Sequence, residues 1–576
     1  MLDRARQMSR DVVTQMEEAR RRRTGKLILE LDLTEPLVEG VPHDPVGAVL
    51  ARRRTPLRLV VDGLRRAGRD PRVQALVVKV GGPRSPLALS RAQQLREAVE
   101  QFRAHGKLAV AWAETFGELG RGSVPYYLAT GFDQVWLQPS GDLCLTGVAV
   151  QVPFLRGALD RAGITPQLAQ RHEYKNAANI FTERGFTPAH RDATERIVVS
   201  MMEQLVAGIA MGRSIDPSEV RAVVDRAPVF AREALDAGLV DRLGYRDEVY
   251  AAVRERAGSD AVLQYVASYG RSKTAEVSSR LAPRSPKLAL VHVTGPIHLG
   301  RSGRRPLGGA TAGANTVCAA LRSATEARDV RAIVLRVDSP GGSYVASDAI
   351  WRQVALTRQA GKPVVVSMGD VAASGGYFVS MGADVIVAEP ATITGSIGVV
   401  GGKGVVDGLV DHLGIGHEGV AGARHGLMFS PLQAFSEDEW ERLNAWLDRI
   451  YDDFTTKVGE GRRLPRERVD EIARGRVWTG ADANERGLVD ELGGLGAALD
   501  VARTRAGLPP TSQPQLQVHP RVPLVARLRA APSSEDPAAA GTELRSGAWG
   551  SFADLAARLG LPTHGPLTLS GDWVMT

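Results

Sequence analysis

Cysteine is nearly absent from this chain of 576 residues: Cys144 and Cys318 are the only two. Two thiols cannot build a disulfide framework, and they are too few for a zinc site. Cys318 stands in an apolar helical context, where a buried free thiol is expected. No run approaches the roughly 18 apolar residues that a membrane-spanning helix needs. The apolar core of a secretory signal peptide is missing as well. A large excess of one charge is also lacking, since 72 Lys and Arg meet 65 Asp and Glu for a net charge of +7. The arginines are scattered through helical segments, which excludes a dedicated nucleic-acid surface but leaves weak attraction to anionic lipid. With 44% hydrophobic and 24% charged residues, the composition is that of a soluble globular protein. The length calls for two or three domains.

What the chain does contain is a copy of itself. GSVPYYLATGFDQVWLQPSGDLCLTGVAV aligns without a gap on ASGGYFVSMGADVIVAEPATITGSIGVVG. Ser123 falls on Ser374, Tyr126 on Tyr377, Gly131 on Gly382, Asp133 on Asp384 and Pro139 on Pro390. Each copy opens on an apolar strand, KLILELDL at Lys26 or KLALVHVTG at Lys287. Each then gives a helix, a strand, a second helix and a second strand. Near the end, EALDAGLVDRLG matches ADANERGLVDELG. Near-continuous apolar runs alternating with helices predict sheets buried on both faces, hence α/β layering.

This reading divides the chain into five parts. Residues 1–25 form a basic amphipathic helix, with Leu2, Ala5, Met8, Val12 and Met16 at helical spacing before Arg20 to Arg23. Such a helix can lie on a membrane surface or pack on its own domain or a neighbouring subunit. Repeat one covers 26–270, a polar linker 271–286 and repeat two 287–506. The tail, 507–576, is rich in Pro, Ala, Ser and Gly. Its APSSEDPAAAGTE stretch is expected to be disordered, and WGSFADLAARLG can form one short helix.

Ser374 is the nucleophile candidate. The strand KPVVVSMGD runs into it and the helix-compatible YFVSMGA runs out. At such a junction the first amides of the helix are free to face a ligand. Gly375 and Gly376 permit a sharp turn. VDSPGGS, after the strand AIVLRV, adds Gly341 and Gly342. Acyl transfer needs two backbone N–H donors aimed at the developing oxyanion. We assign one to Gly342 or its neighbour Gly341 and the other to Gly375. The bland alternative is plain glycine-rich βα turns. In repeat one Ser123 is followed by Val124 and Pro125, and a proline has no N–H to give.

A serine needs a base. None of the 11 histidines lies in a Ser-Gly or Gly-Gly segment. His412 follows Asp411 on a predicted helix and reads as a surface pair. Lysine can serve if burial lowers its pKa from about 10.4 toward about 7–8. Lys175 fits, flanked by Tyr174, Ala177, Ala178, Ile180 and Phe181, with Gly426 at its aligned position. Ser396, in TITGSIG, can orient the amine or be a turn serine; its counterpart Leu145 cannot do the former. The pattern is one of reciprocal loss: each copy keeps the half of a catalytic pair that the other lacks.

EYKNAANIFTERGFTP, VDSPGGSYVASDAIW, the SGGY-to-TGSIG stretch and RVWTGADANERGLVDELGG together resemble the S49 serine peptidases, in the long tandem-repeat form of signal peptide peptidase A, or protease IV. The resemblance implies that each half has a crotonase- and Clp-protease-like α/β fold. It makes Ser374 the nucleophile, Lys175 the base and Ser396 the residue that holds the lysine. It implies a bowl-shaped homotetramer that degrades cleaved signal peptides and other short apolar segments without metal or nucleotide. Members of that family often carry a transmembrane anchor. None is read here, so peripheral membrane association through residues 1–23 and a cytoplasmic role both fit. Two rival readings stand beside this one: a crotonase-type acyl-CoA enzyme with a carboxylate base and no need of Ser374, and an inactive scaffold of the same fold.

Overall fold

The computed structural model describes residues 24–39, 55–81, 87–118, 120–270, 286–304, 309–510, 512 and 514–520, with the short pairs Glu543–Leu544 and Leu567–Thr568. The expected amphipathic helix up to residue 23, nearly all of the linker and the WGSFADLAARLG segment lie outside these residues. Among the described residues no helix is long and apolar enough to cross a membrane.

Two sheets are built to one plan. In the first repeat the strand order is Arg242–Leu243, Gln134–Leu137, Leu108–Ala113, Val73–Lys79, Leu27–Asp32, Val262–Tyr265, all parallel. In the second the same six places are taken by Glu491–Leu492, Val385–Ala388, Val364–Ala373, Val330–Ser339, Lys287–Thr294 and Gln515–His519, again parallel to one another. Two more strands join at Val364–Ala373: Ile393–Gly395, parallel to it, and Val477–Thr479, antiparallel to Ile393–Gly395. Strands such as VQALVVK and VRAIVLRVDS are buried along most of their length. Helices cover both faces, the arrangement parallel sheets require. Gln515–His519 comes from the stretch expected to be tail. It pairs with Lys287–Val291 as Val262–Tyr265 pairs with Leu27–Glu30, so the second sheet reaches past residue 506.

The duplication extends to single hydrogen bonds. Arg103 Nε donates to Asp133 at 2.7 Å, and Asp133 accepts the Ala109 N–H at 2.8 Å. Arg358 Nε donates to Asp384 at 2.8 Å, and Asp384 accepts the Val364 N–H at 2.8 Å. Each ties the end of a crossover helix to the start of a strand. The Tyr126 hydroxyl donates to the Leu239 carbonyl, and that of Tyr377 to the Leu488 carbonyl. Helices Pro188–Arg213 and Glu437–Arg462 are both 26 residues long. Thr187 caps one and Ser436 the other, and each ends on a left-handed residue, Ser214 or Arg463.

The halves interlock. The core of the first repeat includes Ala373, Ile393 and Val477 from the second. Thr165–Gln170 of repeat one pairs antiparallel with Val400–Val405 of repeat two. That crossing carries the next residues, Lys175 among them, into the other half.

Candidate active site

Ser374 stands between strand Val364–Ala373 and helix Gly375–Ser380. Its backbone is held at φ 55°, ψ −113°, a region L-residues rarely occupy and one that costs on the order of 1–3 kcal/mol. The surroundings enforce it. The Ser374 N–H donates to the Gly395 carbonyl at 2.9 Å, and its own carbonyl accepts from Phe378 N at 2.9 Å. Glycine follows because there is no room for more. A Cβ on Gly376 would lie 2.5 Å from the Ser339 carbonyl oxygen. One on Gly375 would lie 2.8 Å from Ser347 Oγ and 3.0 Å from the Gly342 nitrogen. The Gly375 turn and the Gly341–Gly342 strand therefore meet at one corner beside Ser374. Gly341 donates its N–H to Ser339 Oγ at 3.2 Å. Along its edge, Gly341–Gly342 pairs antiparallel with Leu567–Thr568.

Lys175 reaches this corner from repeat one. Its Nζ lies 2.9 Å from Ser374 Oγ, 2.9 Å from Ser396 Oγ and 3.1 Å from the Ser396 carbonyl oxygen. The side chain is 1% exposed. Burial alone pushes the amine down to about 7. A neutral amine has two N–H donors and one lone pair. The Ser396 carbonyl can only accept, so it takes one N–H. With the other N–H on Ser396 Oγ, the lone pair faces the Ser374 hydroxyl, and all three contacts are satisfied. Ser396 also has positive φ, 51°, and its N–H donates to the Arg476 carbonyl at 2.7 Å.

A loop of repeat two clamps the lysine segment, and the sequence held no signal for it. Gly475, at φ 84°, packs on the Lys175 backbone; a Cβ there would sit 2.4 Å from Lys175 Cβ. On either side Arg474 pairs with Glu173 at 2.9 Å, and the Arg476 guanidinium lies 4.7 Å over the Tyr174 ring. Tyr174 in turn donates to Asp192 at 3.0 Å. All six residues named from the sequence, Ser374, Lys175, Ser396, Gly341, Gly342 and Gly375, thus stand together in one chain. His412 is exposed on the short helix Asp407–His412.

The matching corner of repeat one is different. Ser123 Oγ accepts the Gly147 N–H at 2.9 Å, and among the described residues no lysine bonds to it. Leu145, the counterpart of Ser396, is fully buried in the first core.

Comparison with known proteins identifies the family. The model of peptidase family S49 matches residues 101–260 and 356–509, one block in each repeat. The Clp protease model matches residues 309–392, which include the glycine pair and Ser374. The chloroplastic serine protease SPPA of Arabidopsis thaliana is 29% identical over 449 residues, 77% of this chain and 65% of that protein. Protease 4 of Salmonella typhi is 31% identical over 469 residues, 78% of this chain and 72% of that protein. The chain thus spans about two thirds of the length of these relatives. A ClpP1 mutant from Listeria monocytogenes aligns over 39% of this chain and 99% of its own, at 15% identity and a TM-score of 0.23. Matched in both of its repeats, the chain belongs to peptidase family S49.

Proposed function

We propose that this S49 peptidase is a serine endopeptidase with a Ser374/Lys175 dyad that degrades extended apolar peptides, cleaved signal peptides among them. The observation that carries the reading is the buried amine 2.9 Å from Ser374 Oγ. Lys175 Nζ takes the Ser374 proton as Oγ bonds to the peptide carbonyl carbon. The Gly375 amide and that of Gly342 or Gly341 receive the oxyanion. The C–N bond breaks, and the leaving amine takes the proton from Lys175. Water then gives a proton to Lys175 and attacks the ester, which releases the acid and restores the serine. Ser396 keeps the amine aimed throughout.

Burial of the site supports this choice of substrate. A cleft that keeps an amine near pKa 7 excludes water, and so excludes folded proteins. The backbone pairing of Leu567–Thr568 with Gly341–Gly342 supports an extended chain as occupant. The base beside Ser374 Oγ is the Lys175 amine and not a carboxylate, which favours the peptidase over the acyl-CoA rival with its carboxylate base. Assembly into a homo-oligomer, a tetramer in the family resembled, belongs to the same reading. Exposed Leu413, Ile415, Val420 and Phe429 supply apolar surface for such assembly or for peripheral membrane contact.

The test is a fluorophosphonate probe with a fluorogenic apolar peptide. Labelling and cleavage by wild type, both abolished in Ser374→Ala and Lys175→Ala, support the reading. Cleavage that survives in Ser374→Ala sinks it.

A further inference from the structure

The strands leading to the oxyanion glycines and to Ser374 are neighbours, and their pairing is irregular just before the site. Val337 faces Met368, but Ser339 faces Ala372. Asp338 alone therefore opposes Gly369, Asp370 and Val371. The bulge lies three residues before Gly341 and four before Ser374. Bulges of this kind re-aim the residues that follow them.

Repeat one holds this bulge with a charge. Arg91, on helix Leu89–Arg103, places Nη2 2.5 Å from Asp370 and 3.7 Å from Asp338. It also reaches Glu39 at 3.3 Å, which pairs with the buried Arg336 of repeat two at 3.0 Å. Asp338 accepts the Val371 N–H at 3.2 Å across the bulge, and Asp370 accepts the Ser90 hydroxyl at 2.7 Å. All three side chains of the bridge are largely buried, and burial, with the nearby Asp370 and Glu39 charges, raises the Asp338 carboxyl to about 7.

The duplicate shows that the fold does not need this cluster. Leu76 faces Ala109 as Ile333 faces Val364. Five residues past Leu76 stands Gly81 where the second repeat has Asp338, and six past Ala109 stands Thr115 where it has Asp370. Arg103 and Arg358 are equivalent by their hydrogen bonds, and twelve residues before them stand Arg91 and Ala346. The first repeat's ladder, Ala75 to Lys79, ends before the position that the bulge occupies in the second. The arginine is present only in the half that lends it, and the acids only in the half with the glycine-flanked serine.

We propose that Arg91 is a positioning residue of the second repeat's site: by bridging Asp338 and Asp370 across the bulge it sets the spacing between the oxyanion glycines and Ser374. The inference rests on the peptidase reading above.

The test compares full-length wild type, Arg91→Gln and Asp370→Asn, each below its own melting temperature. Readouts are kcat and KM on a fluorogenic peptide and affinity for a peptide boronate, whose adduct oxygen uses the oxyanion amides. Arg91→Gln should lower kcat roughly 10- to 100-fold, since small misplacements of reacting groups are costly. KM should stay within about 2-fold, while boronate affinity falls with kcat. Asp370→Asn, the milder change, should fall roughly 3- to 10-fold by the same measures. If Arg91→Gln does not fold, Asp370→Asn decides. An active wild type and folded variants with unchanged kcat and boronate affinity would overturn the inference alone, whatever their melting temperatures. A wild type that neither cleaves nor is labelled overturns the peptidase reading, and this inference with it.

Discussion

The two repeats keep the same joints and differ in the same corner. The Arg–Asp tie at the helix end, the tyrosine bonded to a carbonyl and the six-strand order are present in both. The corner after the third strand is not. In repeat two, Ser374 faces the Lys175 amine. In repeat one, Ser123 is tied to a backbone N–H from Gly147. The residue matching Gly147 is Gly398, and a Cβ there would lie 3.2 Å from Lys175 Cδ. The space in which one copy bonds its serine to the backbone is, in the other, taken by the lysine stem. Joints that set strand spacing must survive duplication in both halves, because each half needs its own sheet. One site needs only one base and one nucleophile, so the second set was free to drift.

The sharpest way to break the comparison is to make the corners alike. Lys175→Met should lower kcat by about 10²–10⁴, the range for losing a positioned general base. Activity near wild type in that variant would mean the asymmetry has no catalytic content. Gly475→Ala acts from outside the site. Its methyl would press on Lys175 N, Cα and Cβ at 2.4–2.5 Å. Displacing the base by even an ångström should lower kcat by about 10²-fold, with KM little changed.

Much of this site was legible because it sits in local motifs. Ser374, its glycines and Ser396 lie in short strand-to-turn patterns, and the copy supplied a contrast for each. Lys175 emerged from reciprocal loss. Gly475 and Arg91 left no such trace. Their partners are hundreds of positions away, and only folding brings Gly475 onto the lysine backbone or Arg91 onto Asp370. Gln515–His519 was passed over for a related reason. It follows a Pro-rich stretch, and its pairing with Lys287–Val291 is visible only once the sheet is assembled.

Titration sharpens the contrast between a buried amine and its absence. Folding lowers the Lys175 pKa from 10.5 to about 7. Activity needs the neutral amine, so kcat/KM should fall about 10-fold per pH unit below about 7. Stability follows the same group. Between about 7 and 10.5 the unfolded chain binds a proton that the folded one does not. Stability of wild type relative to Lys175→Met should therefore rise with pH through that window, by up to about 1.4 kcal/mol per unit. Chemical denaturation of both proteins from pH 6 to 10 measures it, and parallel curves would refute a depressed pKa. A smaller effect concerns the occupied edge of Gly341–Gly342. A chain ended after Pro520 lacks the Leu567–Thr568 strand. It should be acylated by the fluorophosphonate about 2- to 5-fold faster, the gain expected on losing a weak tethered competitor.

The smallest effects should come from the joints, and there the halves should behave alike. Arg103 and Arg358 are each roughly a third exposed, so solvent screens both pairs. Each still closes a helix end with a second bond, to the Gly131 or the Gly382 carbonyl. Arg103→Ala and Arg358→Ala should each cost about 1 kcal/mol of stability after that screening. Neither should move kcat, because the strands they anchor are held along their length by the sheet. Equal melting shifts with unchanged turnover would fit a divergence confined to the corner. A large loss of turnover in Arg358→Ala alone would show that repeat two has tuned even its scaffold to the chemistry, and that the shared joints are less equivalent than their distances make them.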